Sequence, residues 1–260
     1  MKVVILAGGF GTRLGEETGV KPKPMVEIGG YPILWHIMKG FSSQGFNEFV
    51  ICAGYKQHLI KAYFADYFLH TADVTFDFSN GRNDMTIHRN TTEPWRVTVV
   101  DTGYSTMTGG RIRRVRDYLG GEPFLVTYGD GVADIDIKAL VSFHRAHGKT
   151  VTMSAYNAGQ RFGVLDIAED GTVREMREKA SGDGNLINIG FMVCNPALLE
   201  RIAGDETMLE REPLASLAAE GELVARRHDG FWQCMDTMRE KLLLENLWAK
   251  GQAPWKTWRD

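Results

Sequence analysis

The 260-residue sequence has few cysteines and no long apolar run, and each shortage excludes a class of protein. Its three cysteines, Cys52, Cys194 and Cys234, lie far apart, which argues against a disulfide framework or a zinc site and favours reduced thiols. No apolar run approaches the roughly 20 residues that cross a bilayer, and the opening VVILA is too short for a signal peptide. We therefore expect a cytoplasmic protein with no membrane partner.

The sequence also lacks a large excess of charge of either sign. The formal net charge is −3, so we expect no nucleic-acid partner, and any anion site must be a local cluster of cations. Hydrophobic residues at 43% and charged residues at 24% are ordinary for a globular enzyme. Internal repeats, low-complexity tracts and linkers are missing as well, which predicts one domain over residues 1–260.

Buried strands alternate with helices at the start of the chain. Val3–Ala7 and Phe49–Ala53 are apolar throughout. Each is followed by a stretch, 32–42 and 59–67, in which apolar residues recur at helical spacing. This order predicts an α/β fold with a Rossmann-like, doubly wound mixed sheet. Strands are also predicted at 97–101, 124–128 and 150–155, a hairpin at 164–167 and 173–177, and helices at 110–118, 137–147, 196–202, 212–220 and 241–249.

The stretch 70–110 differs from its surroundings because it is polar and rich in threonine and asparagine. Its alternating runs, Val74–Phe78 and Met85–Arg89, predict an inserted β-ribbon on the surface. Such a ribbon is a candidate for contact between subunits.

A glycine-rich loop, LAGGFGTRL (Leu6–Leu14), follows the first strand. It is neither a dinucleotide fingerprint, because Leu14 stands where the third glycine is required, nor a Walker A loop. A tight turn alone would explain one or two glycines, but it gives no reason for Thr12 and Arg13. Backbone N–H groups in such a loop approach phosphate closely, so we predict a phosphate site here.

Asp130 is the candidate metal ligand. It directly follows the strand Phe124–Tyr128 and is flanked by glycines, which places its carboxylate at the carboxyl edge of the sheet. Mg²⁺ takes one or two carboxylates together with phosphate oxygens and water. A plain turn aspartate is the alternative. Asp134 and Asp136 are expected to cap the next helix.

The chain resembles the sugar-1-phosphate nucleotidyltransferase family. Its loop matches the L-A-G-G-x-G-T-R-L signature, and KPMV (Lys23–Val26) matches the downstream lysine motif. Further stretches, among them EPWRVTVVDTG, TYGDGVADIDI and APWKTW, extend the resemblance over nearly the whole chain, to the cytidylyltransferase branch. The insertion at 70–110 is peculiar to that branch.

The resemblance implies a nucleotide-diphospho-sugar transferase fold and a reaction. CMP would pass from CTP to α-D-glucose 1-phosphate, giving CDP-glucose for polysaccharide synthesis and pyrophosphate, with Mg²⁺ as cofactor. A homo-oligomer, a hexamer or a trimer, is also implied. The same chemistry with UTP, dTTP or another hexose 1-phosphate is the alternative, and a non-catalytic sugar-nucleotide sensor is a further one. In-line attack on an NTP requires positioning and charge neutralisation more than a protein nucleophile.

The resemblance also implies roles for individual residues. Lys23, Arg13 and Asp130 would be catalytic, and Asp130 and Asp236 would bind the metal. The nucleotide would contact Leu6, Ala7, Gly8, Gly9, Phe10, Gly11, Thr12, Arg13, Lys23, Thr106, Arg111 and Gly129. The sugar phosphate would contact Gly163, Glu178, Lys179 and Asn188.

The chain departs from the family pattern at Ala180, Ile189 and Cys234. If Ile189 points into the sugar pocket, the accepted sugar would differ from glucose. Other features predict no chemistry. We read His144 and His147 as a surface helix pair, and Arg113, Arg114 and Arg116 as a solvated or intersubunit face. The tryptophans Trp248, Trp255 and Trp258 are expected to pack the tail onto the body or a neighbouring subunit.

Overall fold

The computed structural model describes residues 1–11, 14–81, 83–157, 164–168, 171–177 and 186–259. The strands in chain order are β1 (Val3–Ala7), β2 (Glu27–Ile28), β3 (Tyr31–Pro32), β4 (Glu48–Ala53), β5 (Ala72–Asp77), β6 (Asp84–Asn90), β7 (Arg96–Asp101), β8 (Phe124–Tyr128), β9 (Gly131–Ala133), β10 (Val151–Asn157), β11 (Val164–Ile167), β12 (Val173–Arg177), β13 (Leu186–Asn188), β14 (Met192–Cys194), β15 (Leu223–His228) and β16 (Trp232–Cys234). The helices are α1 (Glu16–Val20), α2 (Ile33–Ser42), α3 (Gln57–Ala65), α4 (Thr108–Arg114), α5 (Ile137–His147), α6 (Glu212–Ala219) and α7 (Met238–Ala249).

A mixed eight-stranded sheet forms the centre, in the order β13-β10-β14-β8-β1-β4-β7, with β15 also paired to β10. Strands β8, β1, β4 and β7 are parallel, and β14 runs antiparallel to both of its neighbours. From β1 the chain proceeds outward through β4 to β7 and then returns to β8 on the other side of β1. This reversal is a topological switch point, where open α/β sheets bind their ligands at the carboxyl ends of the strands. The predicted doubly wound mixed sheet is confirmed.

Both faces of the sheet are covered, because alternate residues of the inner strands point to opposite sides. Val3 and Ile5 of β1 pack with α2, α3, α5 and α7 in one core. Val4 and Leu6 pack in a second core that includes residues of α4 and α6. In the described segments, no helix is long and apolar enough to cross a membrane.

The inserted ribbon spans fewer residues than the predicted stretch 70–110. Strands β5 and β6 pair only with each other, as a two-stranded antiparallel hairpin. By contrast, β7 is the edge strand of the main sheet, and α4 begins at Thr108. The insertion is therefore about 72–90, and the rest of the polar stretch belongs to the central fold.

Some expectations for single residues were wrong. His144 is buried and not on the surface, with its ring 2.8 Å from the hydroxyl of Thr152, which also contacts His147 at 2.7 Å. Asp136 caps α5 as expected, accepting from the Ala139 N–H at 2.8 Å. Asp134 does not, because it accepts from the Phe231 N–H at 2.7 Å.

Arg113, Arg114 and Arg116 are exposed, as expected of a solvated face, and each also contacts a partner within the chain. Arg114 forms a two-pronged ion pair with Asp205, at 2.9 and 2.5 Å, and Arg116 contacts Glu200 at 2.5 Å. Arg113 donates to the carbonyl of Ala203. Two ion pairs and one hydrogen bond therefore connect residues 200–205 to α4 and the turn after it.

Candidate active site

A cavity of about 570 Å³ opens at the switch point, at the carboxyl ends of β1 and β8. Its walls come from the glycine-rich loop after β1, the loop after β7 that leads into α4, the segment after β8, and single residues from distant parts of the chain. The described lining residues are Leu6, Ala7, Gly8, Gly9, Phe10, Gly11, Lys23, Pro24, Tyr104, Ser105, Thr106, Met107, Thr108, Arg111, Tyr128, Gly129, Asp130 and Asp236.

The glycine loop requires small residues for two different reasons. Gly11 has φ +64°, a left-handed conformation that side chains rarely adopt, and its carbonyl accepts from the Thr18 hydroxyl at 3.0 Å. Gly8 leaves room for a neighbour, because a Cβ there would lie 2.0 Å from a guanidinium nitrogen of Arg111. The loop is thus shaped by one backbone turn and one close approach.

Arg111 connects this loop to the loop after β7. Its buried guanidinium donates to the carbonyl of Gly8 at 3.1 Å, to that of Gly103 at 2.8 Å and to the hydroxyl of Thr102 at 2.8 Å. Burial lowers the pKa of Arg111, but a guanidinium stays charged at neutral pH. Arg111 therefore acts here as a clamp between two walls, and it places a positive charge behind the cavity.

Lys23 lies between Asp130 and Asp236, the two aspartates that the resemblance implies as metal ligands. Its ammonium is 2.6 Å from Asp130 Oδ2 and also contacts Asp236 Oδ1. Burial alone would lower the pKa of Lys23, but the charges and hydrogen bonds of Asp130 and Asp236 raise it above the ordinary value. Two carboxylates that are far apart in the sequence thus converge on one cation.

A short ladder brings the two aspartates together. Asp130 stands between β8 and β9, and β9 pairs antiparallel with β16, which ends just before Asp236. The Met235 N–H donates to the carbonyl of Asp130 at 2.8 Å. The backbone N–H of Asp236 donates to the buried carboxylate of Glu240 at 2.7 Å. Asp236 is therefore fixed from both sides, by the ladder and by the start of α7.

This donor set fits a divalent cation that is shared with a phosphate ligand. Two carboxylate oxygens contact one ammonium, so the two aspartates face the same point in the cavity. No cluster of three or more His, Cys, Asp or Glu side chains suitable for a metal occurs among the described residues. A Mg²⁺ ion held by Asp130 and Asp236 would complete its shell with phosphate oxygens and water, which is its usual preference.

Tyr128 and Thr108 form a wall that the sequence analysis missed. Tyr128 donates to Glu210 at 2.6 Å, and Thr108 donates to the other oxygen of the same carboxylate at 2.6 Å. Burial raises the pKa of Tyr128 well above its ordinary value, so the hydroxyl keeps its proton and remains a donor. Tyr104, Ser105, Met107 and Pro24 were missed as well. Residues 104–108 follow β7 at the same edge of the sheet, and that position is the signal that could have found them.

The structure assembles most of the residues proposed for the nucleotide and the metal. Thr12, Arg13, Gly163, Glu178, Lys179 and Ala180 lie outside the described residues. Asn188 accepts from the Gly190 N–H at 2.9 Å and lies beside Tyr128, but it does not line the cavity. Ile189 is buried in the hydrophobic core, so its side chain does not reshape this cavity. Cys234 is buried, with its sulfur 3.9 Å from Asp236 Oδ2.

Comparisons with known proteins show the family of the chain. The family model described as nucleotidyl transferase matches residues 2–255. Glucose-1-phosphate cytidylyltransferase of Salmonella typhi is 60% identical over 99% of this chain and 100% of its own length. The probable glucose-1-phosphate cytidylyltransferase of Bacillus subtilis is 44% identical over the same shares. A crystal structure of UDP-glucose pyrophosphorylase complexed with UDP-glucose has a TM-score of 0.75 at 18% identity, covering 96% of this chain and 98% of that one, and it supports the fold alone.

The chain therefore belongs to the nucleotidyl transferase family. The particular proteins that it matches at high identity along its full length are the glucose-1-phosphate cytidylyltransferases, as the sequence motifs had indicated.

Proposed function

We propose that this chain transfers CMP from CTP to α-D-glucose 1-phosphate, giving CDP-glucose and pyrophosphate. The observation that carries the proposal is the convergence of Lys23, Asp130 and Asp236 below the glycine loop, in one cavity. The 60% identity to a glucose-1-phosphate cytidylyltransferase supports the choice of both substrates. The three cysteines are buried free thiols, which suits a cytoplasmic location.

The reaction requires little covalent participation by the protein. A phosphate oxygen of the sugar substrate attacks the α-phosphorus, a new P–O bond forms, and the bond to the β-phosphate oxygen breaks as pyrophosphate leaves. The attacking oxygen is already ionised at neutral pH. Lys23 neutralises charge on the α-phosphate, and the backbone N–H groups of Gly8–Gly11 hold the triphosphate in line.

Magnesium is the cofactor that we propose for this site. Asp130 and Asp236 would hold it, and when bound it would neutralise phosphate charge during transfer. Lys23 would then pair with phosphate instead of with the two carboxylates.

A pyrophosphate-release assay tests the proposed function. The purified chain is offered CTP, UTP, dTTP and GTP, each with glucose 1-phosphate and with other hexose 1-phosphates. We expect turnover with CTP and glucose 1-phosphate, dependent on Mg²⁺ and abolished by EDTA. Faster turnover with UTP, dTTP or another sugar 1-phosphate would show that the chain catalyses the same type of transfer with different substrates. Tight sugar-nucleotide binding without any pyrophosphate release would identify a sensor.

We also propose that the hairpin β5–β6 makes a contact between copies of this chain in a homo-oligomer. Cross-strand pairing places Val74 with Ile87 and Phe76 with Met85 on one face. Val74 is half-buried, whereas Phe76, Met85 and Ile87 are exposed, as is Phe78. An isolated two-stranded hairpin is marginally stable in water, so an apolar face of this kind requires a cover. A second copy is the occupant that the resemblance to oligomeric relatives favours.

Sedimentation tests the oligomer. We expect an assembly for the unaltered chain at micromolar concentration and a smaller species for Phe76→Ser with Met85→Ser. Thr75→Ser with Thr86→Ser, which changes the opposite face of the same hairpin, is the matched control. A monomeric unaltered chain would reject the proposal.

A further inference from the structure

Phe10 and Tyr104 form an exposed aromatic pair on the cavity wall. Phe10 stands in the glycine loop after β1, and Tyr104 stands in the loop after β7. Their ring centroids are 4.8 Å apart, in an edge-to-face arrangement, and Tyr55 joins them at 5.7 Å from Phe10. Phe10 is 42% exposed and Tyr104 is 60% exposed, although both contact another ring. Aromatic groups this exposed beside a cavity are candidates for contact with a ligand.

The separation of the two loops is fixed from below by Arg111. Its guanidinium donates to the carbonyl of Gly8 at 3.1 Å and to that of Tyr104 at 3.3 Å. The backbones that carry both rings are therefore held by one buried side chain. The pair is preorganised, so a ligand that contacts it does not have to order two loops first.

The charges of the cavity separate a phosphate region from an uncharged region. Among the lining residues that the structure describes, the charged side chains are the buried Arg111 and the group formed by Lys23 with Asp130 and Asp236, in which Lys23 contacts both aspartates. The segment 104–108 carries hydroxyls, a thioether and an aromatic ring, without a charge. If the triphosphate is held at the charged group, as the proposed function requires, the uncharged segment 104–108 is the wall that remains for the nucleoside.

We infer that Phe10 and Tyr104 provide an aromatic surface on which the nucleobase packs. This inference rests on the proposed function, because it takes the cavity ligand to be a nucleoside triphosphate. Base–aromatic stacking contributes to affinity and accepts any base, since every base has a π face. The pair is thus a positioning element that sets affinity for the nucleotide. It leaves the choice between bases to hydrogen-bonding groups elsewhere in the wall.

The test compares ring-deletion variants with CTP as the probe. For Phe10→Ala with Tyr104→Ala we expect the KM for CTP to rise by about 5- to 100-fold, from the usual strength of base–aromatic stacking, with kcat unchanged. The ratio of kcat/KM between CTP and UTP should stay constant. Tyr104→Phe keeps the ring and should behave as the unaltered chain does. Tyr118→Ala, which removes an exposed ring outside the cavity, is the matched control.

Equilibrium binding supplies a second readout that is independent of turnover. Calorimetry should show weaker binding of CTP by the double variant, together with unchanged binding of inorganic tripolyphosphate, which has no base. Equal CTP affinity in the double variant and the unaltered chain would overturn the inference. So would an equal loss of tripolyphosphate binding, because it would show that the glycine loop itself had changed. If the unaltered chain neither binds nor uses CTP, the proposed function fails instead.

Discussion

Lys23 carries a positive charge at the point where we propose that a metal ion binds. Its ammonium contacts both carboxylates of the proposed metal site. Two unit charges about 4 Å apart interact by about 4 kcal/mol at an effective dielectric constant of about 20. A divalent cation at these two carboxylates would therefore bind against the positive charge of Lys23.

Replacing Lys23 by methionine separates its two roles. Lys23→Met keeps much of the side-chain volume but removes the competing charge, so we expect Mn²⁺, as a probe for Mg²⁺, to bind about tenfold more tightly without nucleotide. Calorimetry or electron paramagnetic resonance measures this affinity. Turnover should fall by orders of magnitude, because the α-phosphate loses its cation in the transition state.

Lys21→Met is the matched control for this experiment. Lys21 pairs with Glu27 outside the cavity, so its loss should change neither Mn²⁺ affinity nor turnover. Unchanged Mn²⁺ binding in Lys23→Met would show that Asp130 and Asp236 are not the metal ligands.

The sequence was informative about residues that follow buried strands. Gly8 and Asp130 come directly after apolar strands of the parallel sheet, so their positions at its carboxyl edge could be predicted. Asp236 was found through the resemblance alone, because the short strand before it is neither long nor strongly patterned. Tyr104 was not predicted, because a single exposed aromatic residue in a loop is not part of any helical or strand periodicity.

At the scale of the element, α7 holds Asp236 in place through its first turn. Thr237 and Glu240 form a reciprocal capping box, and the carboxylate of Glu240 accepts from the backbone N–H of Asp236 at 2.7 Å and of Thr237 at 2.9 Å. A cap of this kind usually stabilises a protein by about 1 kcal/mol. The same contact orients a proposed metal ligand.

Removing the Glu240 side chain should therefore change both stability and activity. We expect Glu240→Ala to lower the free energy of unfolding by about 1–2 kcal/mol and to weaken Mn²⁺ binding, while Glu240→Gln, which can still accept the same hydrogen bonds, retains both. Urea unfolding and metal titration measure the two effects. Asp136→Ala removes the cap of α5, which contributes no described lining residue, and should cost similar stability without affecting metal binding. If Asp136→Ala weakens Mn²⁺ binding equally, general destabilisation explains both results.

Helices and strands with a strong hydrophobic periodicity were predictable from the sequence, and short or polar ones were not. Strand β1 and helix α5 were predicted with the bounds that the structure has. Strands β13, β14 and β16 have three residues each, too few for alternation to show, and β15 ends in Arg226, Arg227 and His228. These strands are defined by their neighbours in the sheet, which local sequence does not reveal.

At the scale of the whole molecule, the C-terminal tail is fastened by an aromatic cluster around one histidine. His36 contacts the rings of Trp35, Trp248, Trp255 and Trp258. Its Nε2 donates to the carbonyl of Ile28 at 2.9 Å, and the Trp255 indole N–H donates to its Nδ1 at 3.3 Å. The expectation that these tryptophans pack the tail onto the body is confirmed. The role of His36 was not foreseen, because its partners are distant in sequence.

This cluster predicts a specific loss of stability in acid. Burial lowers the pKa of His36 to about 4, and a proton on Nδ1 would face the indole N–H that now donates there. The unfolded chain binds a proton near pH 6.5 and the folded chain does not, so stability is full above that pH and falls as the pH drops towards 4. The loss approaches about 3 kcal/mol.

Urea unfolding of His36→Gln measures this contribution. Between pH 7 and pH 4, the unaltered chain should lose about 3 kcal/mol more than the variant, because glutamine does not titrate. Parallel pH profiles for the two proteins would show that His36 is not the group responsible.

The loop that carries Tyr104 has a practical consequence for redesign. Residues 104–108 reach the cavity as one uninterrupted stretch, whereas Lys23, Asp130 and Asp236 arrive from three other places in the chain. If the nucleoside packs on this stretch, as we infer, a chimera that receives residues 104–108 from a relative with another nucleotide preference is expected to prefer that relative's nucleotide. It should keep its catalytic rate, because Lys23, Asp130 and Asp236 are left in place.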